Sequence, residues 1–165
     1  FNASLIAGEE PELCYRLRQK GWKIWRLDAE MTLHDAAMTQ FSQWWKRTVR
    51  AGYAFAEGAW LHRGEPERYW VKETISHGVW GGLLPLIIFL GSIWSQGLTL
   101  LLLLAYPLLG YKIYRRQQYF YDPTIARLYS LFCVIGKFPS ALGELQLYTN
   151  LIFSRQGQII EYKKH

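Results

Sequence analysis

The chain has 165 residues, a formal net charge of +6 and 50% hydrophobic residues. Two cysteines are too few for a disulfide framework, which excludes a disulfide-stapled secreted scaffold. The basic excess does not indicate nucleic-acid binding, because no Asp, Glu, Lys or Arg occurs in the 38 positions from Thr74 to Tyr111 and the cations flank that stretch.

The N-terminal segment predicts one helix and two short strands. Pro11 suits the first turn of a helix and Gly21 suits its C-terminal cap, so residues 10–20 are predicted to be helical. The aromatic and branched stretches "WKIWRL" (22–27) and "MTLH" (31–34) each predict a strand.

Residues 39–72 predict an amphipathic helix that lies along the membrane surface. One face is apolar and rich in tryptophan, whereas the other is polar and basic. The residues assigned to the basic face are Gln43, Lys46, Arg47 and Arg50.

Residues 73–116 predict a transmembrane hairpin. A run of 38 uncharged residues is about twice the length of one crossing, and "WSQG" (94–97) is its polar break. We therefore expect helices at about 73–94 and 97–115. Because both ends of the pair are basic, both are expected in the cytoplasm.

Residues 117–165 predict interfacial helices and a basic tail. The apolar run "TIARLYSLFCVIGKF" (124–138) is short for a span and Pro139 is expected to break it, so an interfacial or re-entrant helix is favoured. His62, His77 and the tyrosines at 111, 114, 119 and 121 are assigned to the membrane interface.

Three carboxylates, Glu9, Glu10 and Glu12, surround Pro11 at the start of the first predicted helix. Acidic residues there are stabilised by unpaired backbone N–H groups and the helix dipole, so a purely structural role explains them. The same field stabilises the negative charge that a general base needs, so a catalytic role stays open.

The segment "FNASLIAGEEPELCYRLRQKGWKIWRL" resembles the C-terminal part of the catalytic domain in membrane-bound family 2 glycosyltransferases, inverting enzymes with the GT-A α/β fold. Their pattern G-E-D-x-E-L-x-x-R-L-x-x-x-G is matched here from Gly8 to Gly21, with Glu10 in place of the more usual Asp. The basic aromatic helix, the hairpin, "KFPSALGELQLY" and "IIEYKK" extend the resemblance along nearly the whole chain. The resemblance implies that Glu10 is the catalytic base and that Glu9 and Glu12 support it.

The resemblance also implies a divalent metal, Mn²⁺ or Mg²⁺, that neutralises the nucleotide diphosphate. His34, with Asp35 as orienting group or second ligand, is the candidate metal site, and the upstream Asp-x-Asp motif of the family is not in this sequence. A structural histidine is the alternative.

Gln43, Arg47 and Arg50 are candidates for binding the diphosphate or the acceptor, since an arginine fork suits a diphosphate. The alternative is a solvated helix face that meets anionic lipid. "QWWKRTVRAG" lacks the Q-x-x-R-W motif of processive relatives, so processive polymer synthesis is not supported.

The expected protein is a mainly α membrane protein fragment. It comprises the C-terminal piece of a GT-A α/β domain (1–38), the amphipathic helix region (39–72), the hairpin (73–116), and interfacial helices with the tail (117–165). The expected function is transfer of a sugar, with inversion, from a nucleotide-sugar donor to a lipid-linked or growing glycan acceptor during cell-envelope polysaccharide biosynthesis. The expected location is the plasma (inner) membrane, with the catalytic part cytoplasmic, membrane lipids as partners and no nucleic acid. Without the donor-binding half the fragment alone is expected to be inactive, and the alternative is a non-catalytic anchor or assembly subunit of a polysaccharide-synthesis complex.

Overall fold

The computed structural model describes residues 2, 5–29, 38–155 and 157. These residues form five helices and contain no strand. The helices are α1 (Glu9–Gln19), α2 (Phe41–Leu61), α3 (Val71–Trp94), α4 (Leu98–Gln117) and α5 (Pro123–Ile152). The expectation of a mainly α chain is confirmed for the described residues.

Helix α1 begins and ends at glycines with left-handed backbone. Gly8 precedes the helix with φ 83°, and Gly21 follows it with φ 81°. Both conformations strain residues that carry a Cβ, so glycine defines the two ends of this helix. The prediction of a helix over 10–20 is confirmed to within one residue.

The predicted strand at 22–27 is wrong. These residues have no regular secondary structure, and Trp22 and Trp25 are 67% and 80% exposed. A strand requires a neighbouring strand for its backbone hydrogen bonds, and the described residues supply none. The GT-A α/β portion is therefore not seen, and the second predicted strand, at 31–34, lies outside the described residues.

Helix α2 lies within the predicted region 39–72 but ends at Leu61, and it crosses α5 closely. Its buried residues include Gly52, Tyr53 and Ala56, which pack on the Leu147 side of α5. A methyl group at Gly52 would lie 2.1 Å from the carbonyl oxygen of Ser140, so the two backbones meet at this point. Small residues at a helix crossing permit this approach.

Helices α3 and α4 form the predicted hairpin. They are joined at Ser95–Gly97, where Gln96 (φ 50°) and Gly97 (φ 89°) adopt left-handed conformations. Most of their large apolar side chains are exposed, for example Phe89 at 68% and Trp94 at 89%. Three helices of the described chain, α3, α4 and α5, are long and apolar enough to cross a membrane.

Helix α5 consists of two segments, Pro123–Ile135 and Lys137–Ile152, which meet at Gly136, three residues before the predicted break at Pro139. Its second half begins at Lys137, so Pro139 lies in a first turn, where the missing N–H leaves no hydrogen bond unmade. The half from Lys137 onwards packs against α2 and against residues 71–83, whereas Pro123–Ile135 packs against Ala105–Gln117. Helix α5 thus contacts the base of the hairpin and holds α2 against it.

Candidate functional site

One cavity brings the acidic motif and the basic helix together. It has a volume of about 410 Å³ and lies between the start of α1 and the middle of α2. Glu9 and Glu10 line it on one side, and Arg47 and Arg50 on the other. Its remaining lining residues are Ala7, Gly8, Pro11, Ala51, Ala54, Phe55 and Trp70.

The backbone leading into the acidic motif is held from both sides by α2. Arg50 Nη2 donates to the carbonyl oxygen of Ile6 at 2.9 Å, and the Ile6 N–H donates to Glu57 Oε2 at 3.4 Å. Burial raises the pKa of Glu57, while the N–H of Ile6 opposes that rise. Arg50 therefore has a positioning role, since it fixes the chain two residues before Gly8.

Glu12 lies in a buried polar cluster outside this cavity. The residue is 1% exposed, and Arg16 Nε donates to its two carboxylate oxygens at 2.8 and 3.0 Å. His62 Nε2 lies 3.2 Å from Glu12 Oε1, and His62 Nδ1 lies 2.9 Å from Glu65 Oε1. Glu12 thus supports the motif by fixing α1 to the end of α2.

Two tyrosines complete the cluster. Tyr15 donates its hydroxyl to Glu65, and burial together with this hydrogen bond raises the pKa of Tyr15 to about 12. Hydrogen bonds from Tyr15 and then His62 lower the pKa of Glu65. Burial also raises the pKa of Tyr69, whose ring lies 4.4 Å from that of Tyr15.

The assignment of His62 to the membrane interface is wrong, because the residue is 5% exposed inside this cluster. His77, assigned in the same way, contacts Glu144 Oε1 through Nδ1 at 3.1 Å. Each histidine contacts a carboxylate that is distant in sequence, Glu12 for His62 and Glu144 for His77, and a single sequence does not reveal such pairs. Tyr111 and Tyr119 are exposed, at 59% and 77%.

The three candidate diphosphate-binding or acceptor-binding residues of the basic face differ in the hydrogen bonds that they make. Gln43 Oε1 accepts from the N–H groups of Thr39 and Gln40, at 3.0 and 3.2 Å, and so caps the start of α2. Among the described residues Arg47 makes only a long contact, 3.8 Å, with Met38 Sδ. Its guanidinium is therefore the cation of the cavity that is most available to an anionic ligand.

The candidate metal ligands His34 and Asp35 lie outside the described residues. Within 2, 5–29, 38–155 and 157, no group of three or more His, Cys, Asp or Glu side chains is arranged to hold a metal ion. The metal requirement stays a prediction.

Sequence reasoning missed the aromatic wall of the cavity. The rings of Phe55 and Trp70 pack edge to face, with centroids 4.8 Å apart. Methyl groups at Gly8 and Gly58 would lie 3.1 and 2.7 Å from the Trp70 ring, so both glycines make room for it. The two glycines were a sequence signal for a bulky neighbour but not for which residue it is.

The chain matches no known family, no curated protein and no solved structure at a significant level.

Proposed function

We propose that the chain is the membrane-side part of an inverting glycosyltransferase that uses a nucleotide-sugar donor. The observation that supports this proposal is the shared cavity of Glu10 and Arg47. A carboxylate and an available guanidinium facing one cavity are the two groups that sugar transfer from a diphosphate requires. At about 410 Å³ the cavity is within the usual range for small-molecule sites.

In the proposed reaction Glu10 accepts the proton of an acceptor hydroxyl as that oxygen attacks the anomeric carbon from the face opposite the diphosphate. The bond between the sugar and the diphosphate breaks in the same step, and the diphosphate leaves with the electron pair. Glu10 is exposed in the first turn of α1, so an acceptor reaches it without a rearrangement of the helix. Its carboxylate is not among the partners of Arg16 or His62, unlike that of Glu12.

Arg47 is proposed to stabilise the charge that develops on the departing diphosphate. Such a contact is strongest as the bond breaks, which makes it catalytic rather than only a binding contact. Arg50 acts through Ile6 and holds the motif in register with α2. A divalent metal on the donor diphosphate, with His34 and Asp35 as proposed ligands, would add Lewis-acid stabilisation, and no step of this mechanism depends on it.

The hairpin explains why the acceptor is proposed to be lipid-linked or a membrane-associated growing glycan. Helices α3 and α4 are long and apolar enough to cross a membrane, and α2, which carries Arg47, packs against α3 and α5 at the base of the hairpin. The proposed location is the plasma membrane, with the cavity on its cytoplasmic side, as in cell-envelope polysaccharide synthesis.

The test compares Glu10→Gln with Glu67→Gln in the full-length protein in membranes. Glu67 is exposed and does not line the cavity, so it controls for the loss of one negative charge. Glu10→Gln should insert normally and lower the turnover of sugar transfer by about 10² or more, the scale of losing a general base. Wild-type turnover in Glu10→Gln would exclude Glu10 as the general base and would favour a non-catalytic anchor or assembly subunit.

A further inference from the structure

A second cavity lies on another face of α2, at the base of the hairpin. It has a volume of about 480 Å³, which is within the usual range for small-ligand sites, and four helices contribute to its wall. Its polar side chains include Thr48, His77 and Lys137. Its other lining residues are Trp44, Ile113, Tyr129, Phe132, Cys133, Gly136 and Ser140.

Lys137 is a partly buried cation in this cavity that forms no direct ion pair, although Glu73 and Glu144 lie close enough to act on it electrostatically. Its Nζ donates to Ser76 Oγ at 2.9 Å, and in the described part of the chain no carboxylate oxygen lies within 4.0 Å of it. An ammonium has three donors, so two are left for other partners. Keeping an unpaired charge away from water costs free energy, which an anionic ligand would offset.

The nearest buried carboxylate on the same helix is already engaged. Glu144 is 4% exposed and pairs with His77 Nδ1 at 3.1 Å. Glu144 does not line the cavity, whereas His77 and Lys137 do. Thr48 already donates its hydroxyl to the carbonyl oxygen of Trp44, so the ammonium of Lys137 is the main group that the polar wall offers to an anionic ligand.

The rest of the wall is suited to hydrocarbon. Trp44 and Phe132 pack edge to face with centroids 5.0 Å apart, and Ile113 completes this apolar side. Phe132 and Tyr129 are 40% and 43% exposed on helix α5, which is itself apolar enough to cross a membrane. An acyl or prenyl chain that starts in the cavity can leave it along this exposed side.

We propose that this cavity binds the phosphate-bearing head of a membrane lipid, with the phosphate at Lys137 and the first part of the tail at Trp44 and Phe132. Two sources have this chemistry: an anionic lipid of the bilayer and a polyprenyl-phosphate carrier of the kind a lipid-linked acceptor requires. The proposal does not depend on Glu10, because a bilayer lipid would bind here in a protein without transferase activity.

The test uses the full-length protein, purified in a neutral detergent, and three lipids: phosphatidylglycerol, phosphatidylcholine and farnesyl phosphate. Native mass spectrometry measures binding to wild type, Lys137→Gln, Lys137→Arg and Lys112→Gln. Lys112 is exposed on α4 and outside the cavity, so it controls for the loss of one positive charge. We expect Lys137→Gln to bind the two anionic lipids, phosphatidylglycerol and farnesyl phosphate, at least tenfold more weakly, with Lys112→Gln and Lys137→Arg near wild type.

A second measurement needs no mutation. Cys133 lines the cavity and Cys14 lies on α1, so a bound lipid should slow maleimide labelling of Cys133 and leave Cys14 unchanged. The labelling rate of Cys133 tests the proposal even if Lys137→Gln does not fold. Preference for farnesyl phosphate over phosphatidylglycerol would identify a carrier lipid, and the reverse a bilayer lipid. Equal protection by phosphatidylcholine, or wild-type binding in Lys137→Gln, would overturn the proposal.

Discussion

The crossing of α2 and α5 should tolerate no side chain at its glycines. A methyl group on Gly52 would lie 2.1 Å from the Ser140 carbonyl oxygen, and one on Gly143 would lie 2.0 Å from that of Val49. Both obstacles are backbone atoms of a helix, which cannot rotate away as a side chain can. Gly52→Ala and Gly143→Ala must therefore separate the two helices.

The size of the effect follows from these distances. Ordinary contacts of a Cβ begin at 3.4 Å, so at Gly52 the helices must separate by roughly 1.3 Å. Overpacking of this kind costs about 1 to 3 kcal/mol. For a chain of this size each kcal/mol lowers Tm by about 2 to 4 °C, which gives a decrease of roughly 2 to 12 °C. Because α2 carries Arg47, a shift near 1 Å should also reduce sugar transfer, by a factor of about 10².

Thermal unfolding in detergent, followed by tryptophan fluorescence, measures the first effect. Gly82→Ala is the matched control, since Gly82 lies in α3 and a methyl group there meets nothing within 4 Å. In a helix interior that replacement should be neutral or stabilise by up to about 1 kcal/mol. If Gly52→Ala and Gly143→Ala have the same Tm as Gly82→Ala, the close crossing does not exist in the protein.

Three further predictions concern charge and topology. Arg47→Lys should lower the initial rate of transfer at least tenfold, about 1.4 kcal/mol, if the guanidinium grips a diphosphate, whereas attraction to lipid alone predicts no change. Tyr15 should ionise near pH 12, so the stability that it contributes to the fold is complete below pH 10 and is lost as the pH rises from 10 to about 12. The difference in ultraviolet absorbance between wild type and Tyr15→Phe measures this ionisation, and a midpoint near pH 10 would contradict the prediction. Cysteine labelling should find Gln96 accessible from outside and both Arg63 and Arg116 only from the cytoplasm, and labelling of positions 63 and 116 from opposite sides would exclude the hairpin.

The features that sequence predicted well are those set by local chemistry. The uncharged run from Thr74 to Tyr111 is too long for one membrane crossing and therefore predicts a pair of apolar helices. Helices α3 and α4 form such a pair. Helix α1 was also predicted correctly, because Pro11 is favoured in a first turn and Gly21 is favoured at a C-terminal cap. The position of α2 followed from its periodic aromatic and basic residues.

The errors arose where the outcome depends on distant partners. "WKIWRL" has the composition of a strand, but a strand forms only where a second strand is available. His62 was assigned to the membrane interface, but its ring nitrogens contact Glu12 and Glu65 in a buried cluster. Pro139 was expected to end the helix, but the interruption is a single residue, Gly136, and Pro139 lies in the first turn of the segment that follows.

The site itself was predicted as separate residues rather than as an arrangement. Glu10 and Arg47 were each identified from local sequence, while nothing in that sequence indicated that they share a cavity. Helix α2 brings them together because it contacts the N-terminal segment at two levels. Near its middle Arg50 and Glu57 bind both backbone groups of Ile6, and just after its end His62 binds Glu12.

These two attachments also connect the cavity to the apolar hairpin. Helix α2 packs against α3 and α5, so a carboxylate fixed to α2 is held at a set height above the hairpin. Loss of the Arg50 contact would free the turn before Gly8, and loss of the His62 contact would free the helix after it. If Glu10 is the proposed base and the acceptor is membrane-bound as proposed, both restraints are required, because such an acceptor is itself confined to the surface of the bilayer. The buried polar cluster at Glu12 is therefore best understood as part of the positioning of Glu10.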